Sequence, residues 1–269
     1  MIKLIVTDMD GTLLDENKHL TSRFFPVLKE LRKRGVYFAV ASGRQPADLR
    51  LTFGECADDV IYIGGNGGLI CRGTETEYVA EFDREILTGI VQHCRRLPEA
   101  RVGLCGTKNI YIDNEDGWFR YIVDRYFQNV GVLDDVLKAF DMDQIYKISI
   151  NTEIEPEINT YGQMMEYSDY CDLLLSGEHW LDLLKKGENK GSAIARLQKM
   201  LGVTFEETAI FGDYLNDMPM MHSGYYSYAM KNAHPDIKRE ARFETRYTNE
   251  EEGVVETLIE LFGLQGRGL

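Results

Sequence analysis

Apolar runs of strand length alternate with amphipathic stretches of helix length through residues 1–81; the alternation breaks near residue 82 and resumes near residue 187. Strand–helix–strand units pack as a parallel sheet with helices on its faces, so the rhythm restricts the fold to an α/β domain interrupted by an insert. The first unit runs from a strand at 2–7 to a helix at 22–34. Thr21 and Ser22 are its expected caps, Phe24, Val27, Leu28 and Leu31 its apolar stripe, and Gly35 its stop. A strand at 36–41, a helix at 46–53 and a strand at 60–63 follow. Asn66-Gly67 is a hairpin signal leading to strands at 68–71 and 77–80. After residue 187 the pattern gives a helix at 191–201, strands at 208–211 and 225–229, and helices at 235–241 and 250–262.

Between 82 and 186 the strands come in neighbouring pairs instead. Asp83 caps a helix to about residue 97, with Leu87, Ile90, Val91 and Cys94 inward. Strands at 101–105 and 109–113, a helix at 116–128, a strand at 145–151, a helix at 156–168 and strands at 171–175 and 180–184 complete it. This suits an α+β module with an open, largely antiparallel sheet. The expected division is one α/β domain from 1–81 and 187–269, with 82–186 inserted. Trp118, Phe119 and the Tyr-rich stretch 121–126 read as core of the insert rather than as a substrate platform. Gly64-Gly65-Asn66-Gly67-Gly68 lacks the context of a dinucleotide loop and reads as a hairpin near the junction, with Asn66 facing the substrate.

The first strand ends in Asp8-Met9-Asp10-Gly11-Thr12. Residues at i and i+2 point to the same side of a strand, so two like charges are held together at a cost unless a cation or phosphoryl group accompanies them. A calcium loop would need glycine sixth and glutamate twelfth, where this chain has Gly11 fourth and His19 twelfth. A P-loop string occurs nowhere. The turn is therefore either a solvated strand end or a metal and phosphate site.

The net charge of −14 disfavours a nucleic-acid polymer or an anionic membrane as partner, so a phosphorylated ligand must be attracted locally. Five scattered cysteines without C-x-x-C spacing read as free thiols of a reducing compartment. The opening apolar run is broken by Asp8 and no stretch approaches a membrane span, which makes the cytoplasm the expected location. The histidines form no i, i+3 or i, i+4 pair suited to a metal and none is assigned a catalytic role.

Asp8 and Asp10, Ser42, and Asp213 with Asn216 and Asp217 each follow directly after a predicted strand, and Lys190 begins a helix. Loops at the carboxyl ends of parallel strands gather on one edge of the sheet, where ligands bind. Singly, Lys190 is also a surface lysine, Ser42 a turn residue and Asp213 a helix cap; their joint placement is what points to chemistry. Asp8 can attack a phosphoryl group, and Asp10 can protonate the leaving oxygen and later deprotonate water. Asp8 and Asp213 offer hard oxygen ligands suited to Mg²⁺. Lys190, Ser42 and backbone N–H groups of the 8–12 turn can hold phosphoryl oxygens.

These strings resemble the haloacid dehalogenase-like phosphohydrolases, within them the Cof-type group. DMDGTLL matches the first motif, ASGR ending at Arg44 the second, Lys190 in NKG the third and GDYLNDMPM from Gly212 the fourth. Ala229-Met230-Lys231-Asn232-Ala233 and TNEEEGV at 248–254 resemble the group's C-terminal signature. In one departure, Asp182 stands where the family commonly has glutamate. The resemblance implies a Rossmann-like parallel-sheet core with an inserted α+β cap of the type-two, subclass-B kind. It implies Asp8 as nucleophile and Asp10 as general acid/base. Ser42 and Lys190 would bind phosphate, as would Met9 and Gly43 through the main chain, with Asn216 on the phosphate side. Mg²⁺ would be held by Asp8, Asp213 and the Asp10 main-chain oxygen, with Asp217 outside them. The implied activity is Mg²⁺-dependent hydrolysis of a small phosphorylated metabolite: a sugar phosphate, phosphorylated cofactor or nucleotide. A phosphotransferase or phosphomutase on the same scaffold, and a non-catalytic ligand-binding module, are the alternatives. Whether the chain is a monomer or a homo-oligomer is left open.

Overall fold

A central strand of a sheet covered on both faces has to be apolar throughout, and the first strand, β1 (Leu4–Thr7), is buried along its whole length. The computed structural model describes residues 1–153, 155, 160–177 and 179–265. After β1 come β2 (Tyr37–Ala41), β3 (Ile61–Gly64), β4 (Leu69–Arg72) and β5 (Glu75–Val79), with helices α1 (Phe24–Lys33) and α2 (Pro46–Phe53) between the first three. The inserted region carries β6 (Ala100–Gly106), β7 (Ile110–Ile112), β8 (Val130–Val132), β9 (Ile145–Thr152), β10 (Cys171–Gly177) and β11 (Trp180–Lys185). Its helices are α3 (Arg84–Cys94), α4 (Gly117–Tyr126) and α5 (Thr160–Met164). The chain then returns through α6 (Lys190–Leu201), β12 (Thr208–Gly212), α7 (Met218–Met221), β13 (Tyr226–Ala229), α8 (Pro235–Glu240), β14 (Phe243–Glu244) and α9 (Gly253–Phe262).

Among the described residues the larger sheet has the order β14-β13-β12-β1-β2-β3-β4-β5, parallel from β14 to β3 and antiparallel beyond it. The chain leaves β1 toward β2 and later returns to β1's other side as β12. The strand order thus reverses at β1, and a crevice opens at the carboxyl ends there. The fold is α/β with a Rossmann-like parallel core and an α+β cap.

The cap sheet has the order β10-β11-β9-β6-β7-β8. One face buries Leu104, Ile148, Ile150, Leu181 and Leu183 against Leu87, Ile90 and Val91 of α3. The other face presents Cys105, Ile110, Ile112 and Trp180, which join Phe119, Ile122 and Val123 of α4 in a cluster continuous with the core domain. Where β6 pairs with β9 the register slips between Cys105 and Gly106, whose partners are Lys147 and Ile145. Tyr146 is the extra residue of this bulge, and its ring joins the cluster on the core side.

Tyr146 explains the glycine-rich turn. A Cβ on Gly65 would lie 2.3 Å from its ring and one on Gly68 2.8 Å from it, while one on Gly67 would lie 2.2 Å from the Asn189 carbonyl oxygen. Gly65 also has φ +55°, a backbone that side chains disfavour. Gly65→Ala is expected to lower stability by about 2 kcal/mol, the scale of overpacking plus left-handed strain. Denaturation of Gly65→Ala, Tyr146→Ala and the double variant checks this: the double variant should recover part of the loss.

The structure departs from several expectations. Thr21 and Ser22 do not cap α1, whose N-cap position is Arg23 with no side-chain cap; the Thr21 hydroxyl instead donates to Glu252 at 2.6 Å. The hairpin expected at Asn66-Gly67 is present, β3 pairing antiparallel with β4, but its turn is the 3₁₀ segment Gly65–Gly67, with Asn66 itself left-handed at φ 55°. The helix expected at 83–97 ends at Cys94. The cap sheet contains a parallel pair, β7 with β8, which neighbouring-strand reading did not foresee because α4 crosses over between them. A 3₁₀ segment at Val136–Asp141 was also unforeseen. Of the helix expected at 156–168, α5 and a 3₁₀ turn at Met165–Tyr167 are present, and residues 156–159 lie outside the described residues. The aromatic stretch of α4 is divided: Phe119 is buried, whereas Trp118, Tyr121 and Tyr126 are exposed.

Candidate active site

The parallel ladder carries the site residues to one level. The Asp8 N–H donates to the Phe211 carbonyl at 2.9 Å, extending the pairing of β1 with β12 by one residue. This sets Asp8 beside Gly212 and the loop bearing Asp213. On the other flank the Ser42 N–H donates to the Ile63 carbonyl at 2.9 Å at the end of β2. Gly11 lets the first loop turn: its φ is +79°, and a Cβ there would lie 2.5 Å from Asp213 Oδ2. Two asparagines of the C-terminal signature hold this loop from behind. Asn232 donates to the Gly11 carbonyl at 2.8 Å and Asn249 to the Leu14 carbonyl at 2.9 Å.

Lys190 is the first residue of α6. Asn189 caps that helix by accepting from the Ser192 N–H at 3.0 Å, with the Ser192 hydroxyl accepting from the Asn189 N–H in return. From there its fully buried ammonium donates to Asp8 Oδ1 at 2.5 Å and to Asp217 Oδ1 at 2.6 Å. The second Asp217 oxygen accepts the Asp213 and Tyr214 N–H groups at 2.8 and 3.2 Å. Asp217 is therefore fully engaged. Asp213 accepts the Thr12 hydroxyl at 2.6 Å.

Carboxylate oxygens of Asp8, Asp213 and Asp217 lie within 4.8 Å of one another. One ammonium paired with two of these three acids leaves an excess of negative charge in a largely buried place. Burial pushes the Asp8 carboxyl well above its usual range, and Asp217 and Asp213 add to this while Lys190 opposes it. Burial likewise raises Asp213 to about 6, with Asp217 and Asp10 adding and the Thr12 hydrogen bond and Lys190 opposing. For Lys190 burial acts against the charged form, but Asp217 and Asp8 outweigh it and the ammonium is held above its usual range.

Asp10 stands at the mouth. Its Oδ1 accepts Arg44 Nη2 at 2.5 Å and Lys18 Nζ at 2.9 Å. Ser42 is buried, with its hydroxyl accepting the Arg44 N–H at 3.2 Å. Asn216 donates to Asn66 Oδ1 at 3.4 Å, and the Asn66 N–H donates to the Ser42 carbonyl at 2.8 Å. Gly43 packs against the Asn66 side chain, and Met9 is buried below the first loop. The sequence-derived residues thus gather around one crevice. Lys18, Thr12 as partner of Asp213, Asn232, Asn249 and Arg44 as partner of Asp10 were not assigned these roles. Their signal lay in the quoted motifs, except for Lys18, whose left-handed backbone (φ 65°) no motif announces.

A family model described as haloacid dehalogenase-like hydrolase matches residues 5–258. The chain belongs to the haloacid dehalogenase-like hydrolases. It is an enzyme of the phosphatase kind within them and falls in the Cof-type group. This hydrolase is 27% identical over 262 residues to the 5-amino-6-(5-phospho-D-ribitylamino)uracil phosphatase YbjI of Escherichia coli (strain K12), covering 96% of this chain and 95% of the relative. It is 30% identical over 252 residues to the HMP-PP phosphatase of Klebsiella pneumoniae (strain 342), covering 89% and 88%. The crystal structure of SMU.1108c from Streptococcus mutans UA159 superposes with a TM-score of 0.85 at 26% identity, covering 98% of this hydrolase and 100% of that chain. Among its described residues no helix is long and apolar enough to cross a membrane.

Proposed function

We propose that the protein is a Mg²⁺-dependent phosphatase that hydrolyses a small phosphorylated metabolite through an aspartyl phosphate on Asp8. The observation that carries this is the trio Asp8, Asp213 and Asp217, the first and last buried and Asp213 half-buried, with the Lys190 ammonium paired to Asp8 and Asp217. Its uncompensated charge suits a divalent cation, and its donors are all hard oxygens. Asp8 and Asp213, with the Asp10 main-chain oxygen, would hold Mg²⁺, because both Asp217 oxygens are already engaged. Bound there, the ion would neutralise charge on a phosphoryl oxygen.

The remaining chemistry belongs to the chain. Asp8 attacks phosphorus and the ester oxygen leaves with a proton from Asp10; Asp10 then deprotonates the water that cleaves the aspartyl phosphate. Arg44 and Lys18 hold Asp10 at the crevice mouth, where leaving group and water must pass. Lys190, the Ser42 hydroxyl and the Met9 and Gly43 main chain bind phosphoryl oxygens, with Asn216 reaching the same side. The cap closes over the crevice and excludes bulk water. Sugar phosphates, phosphorylated cofactors and nucleotides are the substrate classes, supported by relatives named for a phosphoribitylaminouracil and for HMP-PP. Five free cysteines support a reducing, cytoplasmic setting.

A panel of small phosphate esters at neutral pH tests the reading. The expected result is phosphate release with Mg²⁺, its loss in EDTA and its return on adding Mg²⁺. No Mg²⁺-stimulated turnover on any ester would overturn it, and transfer to sugar acceptors without phosphate release would make the enzyme a phosphotransferase.

A pH dependence follows from Asp213. With its folded value raised from 3.8 to about 6, the metal-free folded protein binds more protons than the unfolded chain between those values. Its contribution to stability therefore falls as pH rises through that window. Mg²⁺ must displace that proton, so the rise in Tm on adding Mg²⁺ should be larger at pH 8 than at pH 5. Equal shifts at both would contradict it.

A further inference from the structure

Among the described residues, the core-facing side of the cap sheet carries one buried cation. Lys147 on β9 is flanked in register by Cys105 and Leu184, and its side chain is 5% exposed. Its ammonium donates to Asp182 Oδ2 at 2.9 Å, while the other Asp182 oxygen accepts the Ser149 hydroxyl at 2.6 Å. The same ammonium reaches out of the cap to the Gly43 carbonyl in the core domain at 3.4 Å. A buried ion pair is a poor source of stability, since apolar residues of similar volume usually serve as well. What an apolar pair could not supply is the donor that crosses the seam.

The peptide it reaches matters for chemistry. The Gly43 carbonyl and the Arg44 N–H belong to one peptide unit. Lys147 engages the carbonyl end, and the Ser42 hydroxyl accepts the N–H end at 3.2 Å. Asn66 presses on the same loop, at 3.1 Å from where a Gly43 Cβ would stand. Rotation of this peptide would release the Ser42 hydroxyl and displace Arg44, which holds Asp10.

We propose that Lys147 is a positioning residue: fixed by Asp182, it donates across the cap–core seam to the Gly43 carbonyl and sets the phosphate-binding loop in its working geometry. The proposal rests on the phosphatase reading, and it makes seating of the cap a condition for phosphoryl binding whatever the leaving group is.

The test compares wild type with Lys147→Met on p-nitrophenyl phosphate and on a sugar phosphate, with inorganic orthophosphate binding measured by calorimetry in Mg²⁺. The variant should lose roughly tenfold or more in kcat/KM, the scale of one hydrogen bond from a charged group. The loss should be equal on both esters, and orthophosphate should bind more weakly by a similar factor, measured below the unfolding transition because the stranded Asp182 lowers Tm. Unchanged orthophosphate binding, or a loss confined to one ester, would overturn the proposal and make Lys147 a leaving-group contact or a packing residue. If Lys147→Met does not fold, Asp182→Asn takes its place: weakened orthophosphate binding supports the proposal and unchanged binding overturns it. Calorimetry needs no turnover, so an inactive wild type would sink the phosphatase reading alone.

Discussion

Asp8→Asn is expected to reduce hydrolysis of every phosphate ester by about 10³-fold or more, because the amide oxygen is too weak a nucleophile to esterify at phosphorus. Loss of activity alone would not separate a lost nucleophile from a lost fold, but here stability supplies the distinction. In the metal-free protein Asp8 is buried among two further acids, and its carboxyl lies well above its usual range for that reason. A neutral amide of the same shape removes that burden while Asp217 still pairs with Lys190 at 2.6 Å. Asp8→Asn should therefore unfold no earlier than wild type without Mg²⁺, and should gain less from adding Mg²⁺. Thermal unfolding beside single-turnover assays checks both halves. Retained turnover would remove Asp8 from the nucleophile's role.

Lys190→Met is the second large effect, on stability as well as rate. The ammonium is fully buried between Asp8 and Asp217, and removing it strands two acids that repel each other. Breaking a buried pair in this way costs about 3–5 kcal/mol. The sign with pH is fixed: Lys190 is held above its usual range, so its stabilising charge is complete throughout the neutral region. The stranded carboxyls of the variant can escape repulsion by taking up protons. The deficit should thus be greatest near pH 8 and smaller near pH 5, measured by denaturant unfolding without Mg²⁺. A deficit that ignores pH would mean the lysine acts by packing alone.

Much of this site could be read from the chain because its groups sit where strands stop. Asp8, Ser42 and Asp213 needed only the rule that parallel strands share one working edge, and Lys190 needed only a helix start nearby. What stayed hidden depends on side chains meeting across long separations. The hydroxyl of Thr12 on Asp213, and Asn232 and Asn249 on the carbonyls of the first loop, span more than two hundred residues in sequence. The cap was harder for a different reason. A one-residue bulge decides which way Tyr146 faces, and a three-residue strand such as β8 has no periodicity to detect. The glycines at 64–68 announced a tight turn but not the ring that requires it.

Asp217 joins two quantities that an evolving enzyme would gain by adjusting separately. One of its oxygens steadies the lysine that neutralises Asp8, and the other grips the main chain bearing Asp213. Any change that loosens this residue alters the basicity of one aspartate and the placement of another in a single stroke. Variants tuned for a different cation or a different operating pH are therefore expected to arise around position 217 and not at it.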